Sequence, residues 1–153
     1  MLDRPYASEA YQVVNYGICG QYDVHQDNVG YHTYPGETSF ISDQFKLWYS
    51  LVGDRQATFM GYLSTVEAGG GTAFPLLGIK SNPIAGDALF WNNIYSDGKA
   101  DYLTNHGGCP LVVGSKWVVN KWIKYYDNFR TSPCGLEEFQ PLHIFKPWSK
   151  FPK

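Results

Sequence analysis

Residues 106–122 read H-G-G-C-P-L-V-V-G-S-K-W-V-V-N-K-W. A histidine is followed by a Cys-Pro pair, a short apolar run and a Gly-Ser pair. From Lys116 to Ile123 the residues alternate in character. That is the pattern of a β-strand, in which side chains repeat every second residue. Gly114-Ser115 suits a two-residue hairpin turn with glycine at its first central position. In the strand Lys116, Val118, Asn120 and Trp122 share one face, while Trp117, Val119, Lys121 and Ile123 share the other. A lysine turned into a β-core needs a counter-charge, because a buried, unpaired ammonium is costly. The remainder of the chain can be searched for that counter-charge.

The chain has 153 residues, the length of a single domain able to bury its own core. A net charge of −2 gives no reason to expect nucleic acid as a partner. Aromatic residues make up 17%, which leans toward β-structure. No apolar run approaches the roughly 20 residues of a membrane span, and M-L-D-R-P-Y at the N-terminus does not read as a signal peptide, because no apolar segment accompanies it. Three cysteines, Cys19, Cys109 and Cys134, allow at most one internal bridge and leave one free thiol.

Outward from the central stretch the chain is a series of short β-prone runs. Tyr11–Tyr16 ends at Gly17, and Gln21–His25 follows, with Asp27 two residues after His25. Positions i and i+2 of a strand point the same way, so His25 and Asp27 present an imidazole and a carboxylate together. Residues 28–53 are the least patterned, broken by Gly30, Pro35, Gly36 and Gly53; they read as a long loop, either a mobile insertion or a lid over a substrate. Ala57–Ser64 reads as a strand with Thr58, Met60 and Tyr62 on one face. Glu67–Gly71 reads as a flexible turn, Thr72–Pro75 as a short element, and Ala88–Tyr95 as a buried strand. Gly135–Phe139 reads as one helical turn, and residues 141–153 as a poorly ordered tail beyond a domain spanning 1–140. About seven short strands between Gly-rich turns, with almost no helix, point to an all-β sandwich or barrel that houses a ligand between its sheets or in its mouth.

Placed in one barrel, His25, Asp27 and His106 make two histidines and one carboxylate. With open positions that is the facial triad of non-haem Fe(II) oxygenases. Lys116, one hairpin beyond His106, then becomes the holder of an anionic co-substrate. One Fe(II), one aspartate, a doubly charged 2-oxo acid and one lysine sum to zero, a set that a low-dielectric barrel tolerates. His32 and His143 belong to no motif and read as solvent-facing.

Three segments carry a resemblance: N-Y-G-x-x-G-Q-Y-x-x-H-x-D at 15–27, G-G-G-T-A-F-P at 69–75, and H-x-x-C-P-L-V-V-G-x-K-W-V-x-N-K-W at 106–122. Together they resemble the catalytic domain of collagen prolyl 4-hydroxylase α subunits over about residues 2–140. The resemblance implies a double-stranded β-helix, or jelly roll. It implies Fe(2+) held by His25, Asp27 and His106, and 2-oxoglutarate with its far carboxylate on Lys116 and with Tyr16, Thr58 and Trp122 around it. It further implies L-ascorbate as a reductant for oxidised iron, and hydroxylation at C4 of proline in procollagen-like, Pro-Gly-rich peptide in polyproline II form, with release of succinate and CO2. Assembly with protein disulfide isomerase and residence in the endoplasmic reticulum lumen are implied in the same way, as are a Cys109–Cys134 bridge and a free Cys19.

The chain departs from that family in three places. The segment between Asp27 and Arg55 is longer and lacks an acidic run, which opens the choice of substrate. Cys19 stands where the family has glycine. The chain starts at the first barrel strand, where the family carries helical and strand support upstream, so it reads as the C-terminal piece of a larger protein or an incomplete product. Two other readings therefore stand beside the proline hydroxylase: a catalytically silent fragment that keeps the fold to bind peptide or a partner, and a 2-oxoglutarate hydroxylase of another protein.

Overall fold

The structure is a computed structural model, and it describes residues 7–28, 43–128 and 135–141. In chain order the elements are β1 (Gln12–Tyr16), β2 (Tyr22–His25), α1 (Asp43–Val52), β3 (Arg55–Tyr62), β4 (Ala68–Gly69), β5 (Thr72–Phe74), β6 (Ile79–Ser81), β7 (Ala88–Asn92), β8 (His106–Gly108), β9 (Leu111–Val113) and β10 (Lys116–Lys124). Two antiparallel sheets of four strands run in the orders β1-β10-β3-β7 and β2-β8-β5-β6, and β4 and β9 form a small ribbon. The fold is all-β, a double-sheet jelly roll with little helix. Among the described residues no helix is long and apolar enough to cross a membrane.

The core lies between the sheets. Met60, Tyr62, Phe74, Trp91 and Val118 pack together, and the Tyr62 hydroxyl crosses from β3 to β5 to donate to Thr72 Oγ1 at 2.9 Å. On β3 the residues Thr58, Met60 and Tyr62 are all buried, as the alternation predicts. One irregularity re-aims a side chain. Ile123 pairs with Ala57 but Lys124 pairs with Arg55, so Gln56 is an extra residue in β3. Plain alternation puts Arg55 on the outer face with Ala57 and Phe59. The bulge turns it inward, where it lines the cavity.

Several expectations are corrected. Gly114-Ser115 does not close a hairpin: β9 pairs with β4, while β10 is flanked by β1 and β3, so this turn carries the chain between sheets. Residues 43–52, expected within a loop, are α1. No Gly or Pro interrupts Asp43–Val52, Tyr49 and Val52 are buried at a helical spacing of three, and Gly53 ends the helix at φ +76, its N–H bonding Tyr49 O at 2.8 Å. The turn signals around this segment hid a helix ten residues long. The strand expected over Ala88–Tyr95 stops at Asn92 and is half-exposed, because β7 is an edge with one solvated face and Phe90 points to it. Within Glu67–Gly71, Ala68 and Gly69 pair with β9. Residues 135–139 bend rather than form a helical turn, and Phe139 takes φ +56. His32, His143, Cys134 and most of the tail lie outside the described residues. Cys19 is exposed and Cys109 half-buried, both as free thiols; Cys134, the partner expected for Cys109, lies outside the described residues.

Candidate active site

A cavity of about 510 Å³ opens between the sheets, within the size range of small-molecule sites. Both sheets supply its wall. Val14 and Tyr16 come from β1, and Lys116, Val118, Asn120 and Trp122 from β10. Thr72 comes from β5, and His106, Gly107 and Gly108 from β8. The β10 face read from the sequence is thus one wall of the cavity.

At one end β2 and β8 pair so that His25 stands directly opposite His106, their ring centroids 4.4 Å apart. Asp27 follows β2 and completes the group: donor atoms of His25, Asp27 and His106 all lie within 4.8 Å of one another. His25 Nε2 is 3.5 Å from Asp27 Oδ1, and His106 Nε2 is 3.8 Å from Asp27 Oδ2. The other ring nitrogens are engaged. His25 Nδ1 donates to Asp23 O at 2.8 Å and His106 Nδ1 donates to Thr104 O at 3.0 Å. Backbone carbonyls only accept, so both neutral rings keep their proton on Nδ1 and turn the Nε2 lone pair toward Asp27. Burial would raise the Asp27 pKa, but His25, the charge of His106 and the hydrogen bond from Thr58 outweigh it and hold the carboxyl below its ordinary value. Burial lowers the pKa of His106 against the pull of Asp27, which favours the neutral ring. At His25 burial is outweighed by Asp27 and Asp23, and the pKa is raised. Two neutral-capable imidazoles and one ionised carboxylate converging beside a cavity fit a divalent transition metal.

The other end holds Lys116, only 4% exposed. Its Nζ lies 5.3 Å from the Tyr16 ring centroid and 5.8 Å from that of Tyr62. Among the described residues no carboxylate stands within ion-pairing distance of it. Burial lowers its pKa, with only partial opposition from Cys109. A side chain at position 108 would enter the space beside the ammonium, since a Cβ there would lie 3.9 Å from Nζ. The counter-charge that the sequence demands is therefore not supplied by the described protein, and Gly108 keeps room for an external anion.

Of the other residues singled out in the sequence, Tyr16 and Trp122 line the cavity. Thr58 does not; it is buried behind Asp27 and donates to its Oδ2 at 2.6 Å. Three features escaped the sequence reading. Thr72 sits on the cavity wall and pairs with Gly108, near Lys116; its inward position was readable from the period of two it shares with buried Phe74. Arg55 donates through Nη1 to Asp27 O at 3.2 Å, and its guanidinium carbon lies 3.8 Å from the Trp122 ring centroid. Glu9 grips Arg55 through both carboxylate oxygens, at 2.7 and 2.9 Å, and also meets Lys124 Nζ at 2.8 Å. No local pattern announces that pairing.

Burial would raise the Glu9 pKa, but Arg55 and Lys124 outweigh it and hold it below its ordinary 4.5. The unfolded chain thus binds this proton more readily. The contribution of Glu9 to stability is complete above the unfolded value and is lost as pH falls through the folded one. We expect Glu9→Gln to melt lower than wild type at neutral pH. The gap between the two thermal midpoints should narrow steadily below about pH 4.5. A constant gap down to the acid limit would show that Glu9 is not a folding-linked carboxylate.

A two-histidine, one-carboxylate donor set facing a cavity inside a double-sheet β-fold is the arrangement of a non-haem Fe(II) oxygenase. The chain belongs to the 2OG-Fe(II) oxygenase superfamily, whose family model matches residues 11–124. It is 42% identical over 131 residues to prolyl 4-hydroxylase subunit alpha-2 of Gallus gallus, covering 86% of this chain and 22% of that protein. It is 44% identical over 132 residues to prolyl 4-hydroxylase subunit alpha-3 of Homo sapiens, covering 86% and 22%. The chain thus spans about a fifth of the length of these curated relatives. Among solved structures it resembles the viral collagen prolyl hydroxylase of Paramecium bursaria Chlorella virus-1 in its 2OG complex, with 26% identity and a TM-score of 0.56 over 78% of this chain and 63% of that one.

Proposed function

We propose that this chain is the catalytic unit of an Fe(II)- and 2-oxoglutarate-dependent hydroxylase acting at C4 of peptidyl proline. One observation carries the reading: a buried ammonium with no counter-charge among the described residues shares a cavity with a His-Asp-His donor set. His25, Asp27 and His106 would hold Fe(II). Bound there with 2-oxoglutarate, the iron supplies the coupling of oxidative decarboxylation to hydroxylation, giving succinate and CO2. Lys116 would pair with the distal carboxylate, and Gly108 leaves the space that carboxylate needs. Tyr16, Thr72 and Trp122 would flank the bound co-substrate. Thr58, expected from the sequence to stand around 2-oxoglutarate, is assigned to Asp27 instead, because it touches that carboxylate and does not reach the cavity.

A Pro-Gly-rich, procollagen-like substrate rests on the relatives, which are prolyl 4-hydroxylase subunits and a collagen prolyl hydroxylase. The relatives' standing as subunits likewise supports a partner chain; protein disulfide isomerase in that role, the endoplasmic reticulum lumen and ascorbate dependence are proposed from the family resemblance. The test is succinate release with Fe(II), 2-oxoglutarate and a (Pro-Pro-Gly) repeat peptide. The expected result is peptide-stimulated succinate and 4-hydroxyproline by mass spectrometry, absent with a proline-free peptide. Succinate stimulated equally by a proline-free protein substrate would move the assignment to another hydroxylase. Tight peptide binding without turnover in metal-loaded protein would make the chain a silent binding module.

A further inference from the structure

A buried chain of two hydrogen bonds stands behind the Asp27 carboxylate. Thr58 Oγ1 is 2.6 Å from Asp27 Oδ2, and Asn93 Nδ2 is 2.9 Å from Thr58 Oγ1. Thr58 and Asn93 are 1% and 2% exposed. Chemistry sets the direction. An ionised carboxylate only accepts, and a hydroxyl has one proton to give. Thr58 therefore donates to Asp27, and its remaining lone pair must be met by a donor, the Asn93 amide. The relay engages Oδ2 and leaves Oδ1 facing His25 Nε2.

The same stretch of chain reaches the third member of the site. Asp101 N bonds Asn93 O at 2.9 Å. The Asp101 side chain accepts from Leu103 N at 3.0 Å and its carbonyl accepts from Thr104 Oγ1 at 2.8 Å, closing the 3-10 turn Tyr102–Thr104. Thr104 O then takes the Nδ1 proton of His106. Residues 93–105 thus orient Asp27 at one end, through Thr58, and His106 at the other.

We propose that Thr58 and Asn93 are positioning residues for the metal, acting through Asp27 to present one carboxylate oxygen at a fixed angle. This rests on the assignment of His25, Asp27 and His106 as the metal-holding set. The experiment is calorimetric titration of metal-depleted protein with Mn(II), alongside the thermal midpoint of the metal-free protein. Thr58→Val keeps the shape and removes the hydroxyl; its Mn(II) Kd should rise about 10- to 100-fold, the usual cost of losing such an outer contact. Thr58→Ser should restore affinity to within about threefold of wild type, and 2-oxoglutarate affinity at saturating Mn(II) should change by less than about threefold in all variants. Asn93→Leu should weaken Mn(II) binding when Thr58 is present and add almost nothing in the Thr58→Val background, because its effect passes through the hydroxyl. Should Thr58→Val not fold, the single Asn93→Leu and Thr58→Ser variants still decide. Wild-type-like Mn(II) affinity in Thr58→Val, additive losses in the double variant, or a selective loss of 2-oxoglutarate affinity would each overturn the inference. If wild type itself takes up neither Mn(II) nor Fe(II), it is the oxygenase reading that fails.

Discussion

Replacing Lys116 with alanine should raise the apparent KM for 2-oxoglutarate about a hundredfold or more and leave metal affinity nearly intact. The ammonium is buried and meets no carboxylate among the described residues, and the proposed function gives it the distal carboxylate of 2-oxoglutarate as its partner. Once that carboxylate is seated, the pair is shielded from water, where a charge-assisted hydrogen bond is strong. Deleting the lysine leaves a buried, unpaired carboxylate, at a cost of about 3–5 kcal/mol. At roughly 1.4 kcal/mol per decade this is about two to three and a half orders of magnitude in affinity. Lys116→Arg recovers only part of the loss, because a planar fork fits the space beside Tyr16 and Gly108 differently from a compact ammonium. The measurement is a 2-oxoglutarate titration of succinate release, paired with Mn(II) calorimetry. An unchanged KM in Lys116→Ala would remove the co-substrate assignment and leave the donor set untouched.

The second large effect concerns the donor set itself. His25→Ala, Asp27→Ala and His106→Ala should each abolish turnover, because each removes one of the three donors that converge among the described residues and are proposed to hold the metal. The readout is Fe(II) uptake by the purified variant together with peptide-dependent succinate. Asp27→Glu should keep a small residue of activity: the carboxylate remains, but one added methylene displaces it from Thr58, which now holds Asp27 Oδ2 at 2.6 Å. Of the two histidine variants, His106→Ala should open the larger gap: this residue is 6% exposed and its ring packs against Trp91 at 4.6 Å and Phe74 at 5.5 Å between centroids, whereas the His25 side chain is 31% exposed. Hydroxylation by a His106→Ala protein free of contaminating enzyme would show that the ligands lie elsewhere.

Much of the site is written in local periodicity. The period of two along Lys116–Lys124 places Lys116, Val118, Asn120 and Trp122 on one face, and that face is a cavity wall. The same period carries Thr58, Met60 and Tyr62 inward. His25 and Asp27 are a weak signal alone; joined with His106 they suggest a metal-holding set, and the structure brings donor atoms of the three within 4.8 Å of one another. What the sequence by itself could not determine is which strands become neighbours. The Gly114-Ser115 turn is compatible with a hairpin, and only the competition of β1 and β3 for the edges of β10 makes it a crossing between sheets. Arg55 faces the cavity because one extra residue, Gln56, shifts the register, and a shift of one residue reverses a strand's faces without any mark in the local pattern. The contacts that hold Asp27 and Arg55 join residues 31 and 46 positions apart, and Asn93 meets Thr58 across 35. Hydrogen bonds of that kind depend on sheet order and on which side chains end up buried without water. Tertiary structure alone decides them, since a buried polar group takes whatever partner packing brings within reach.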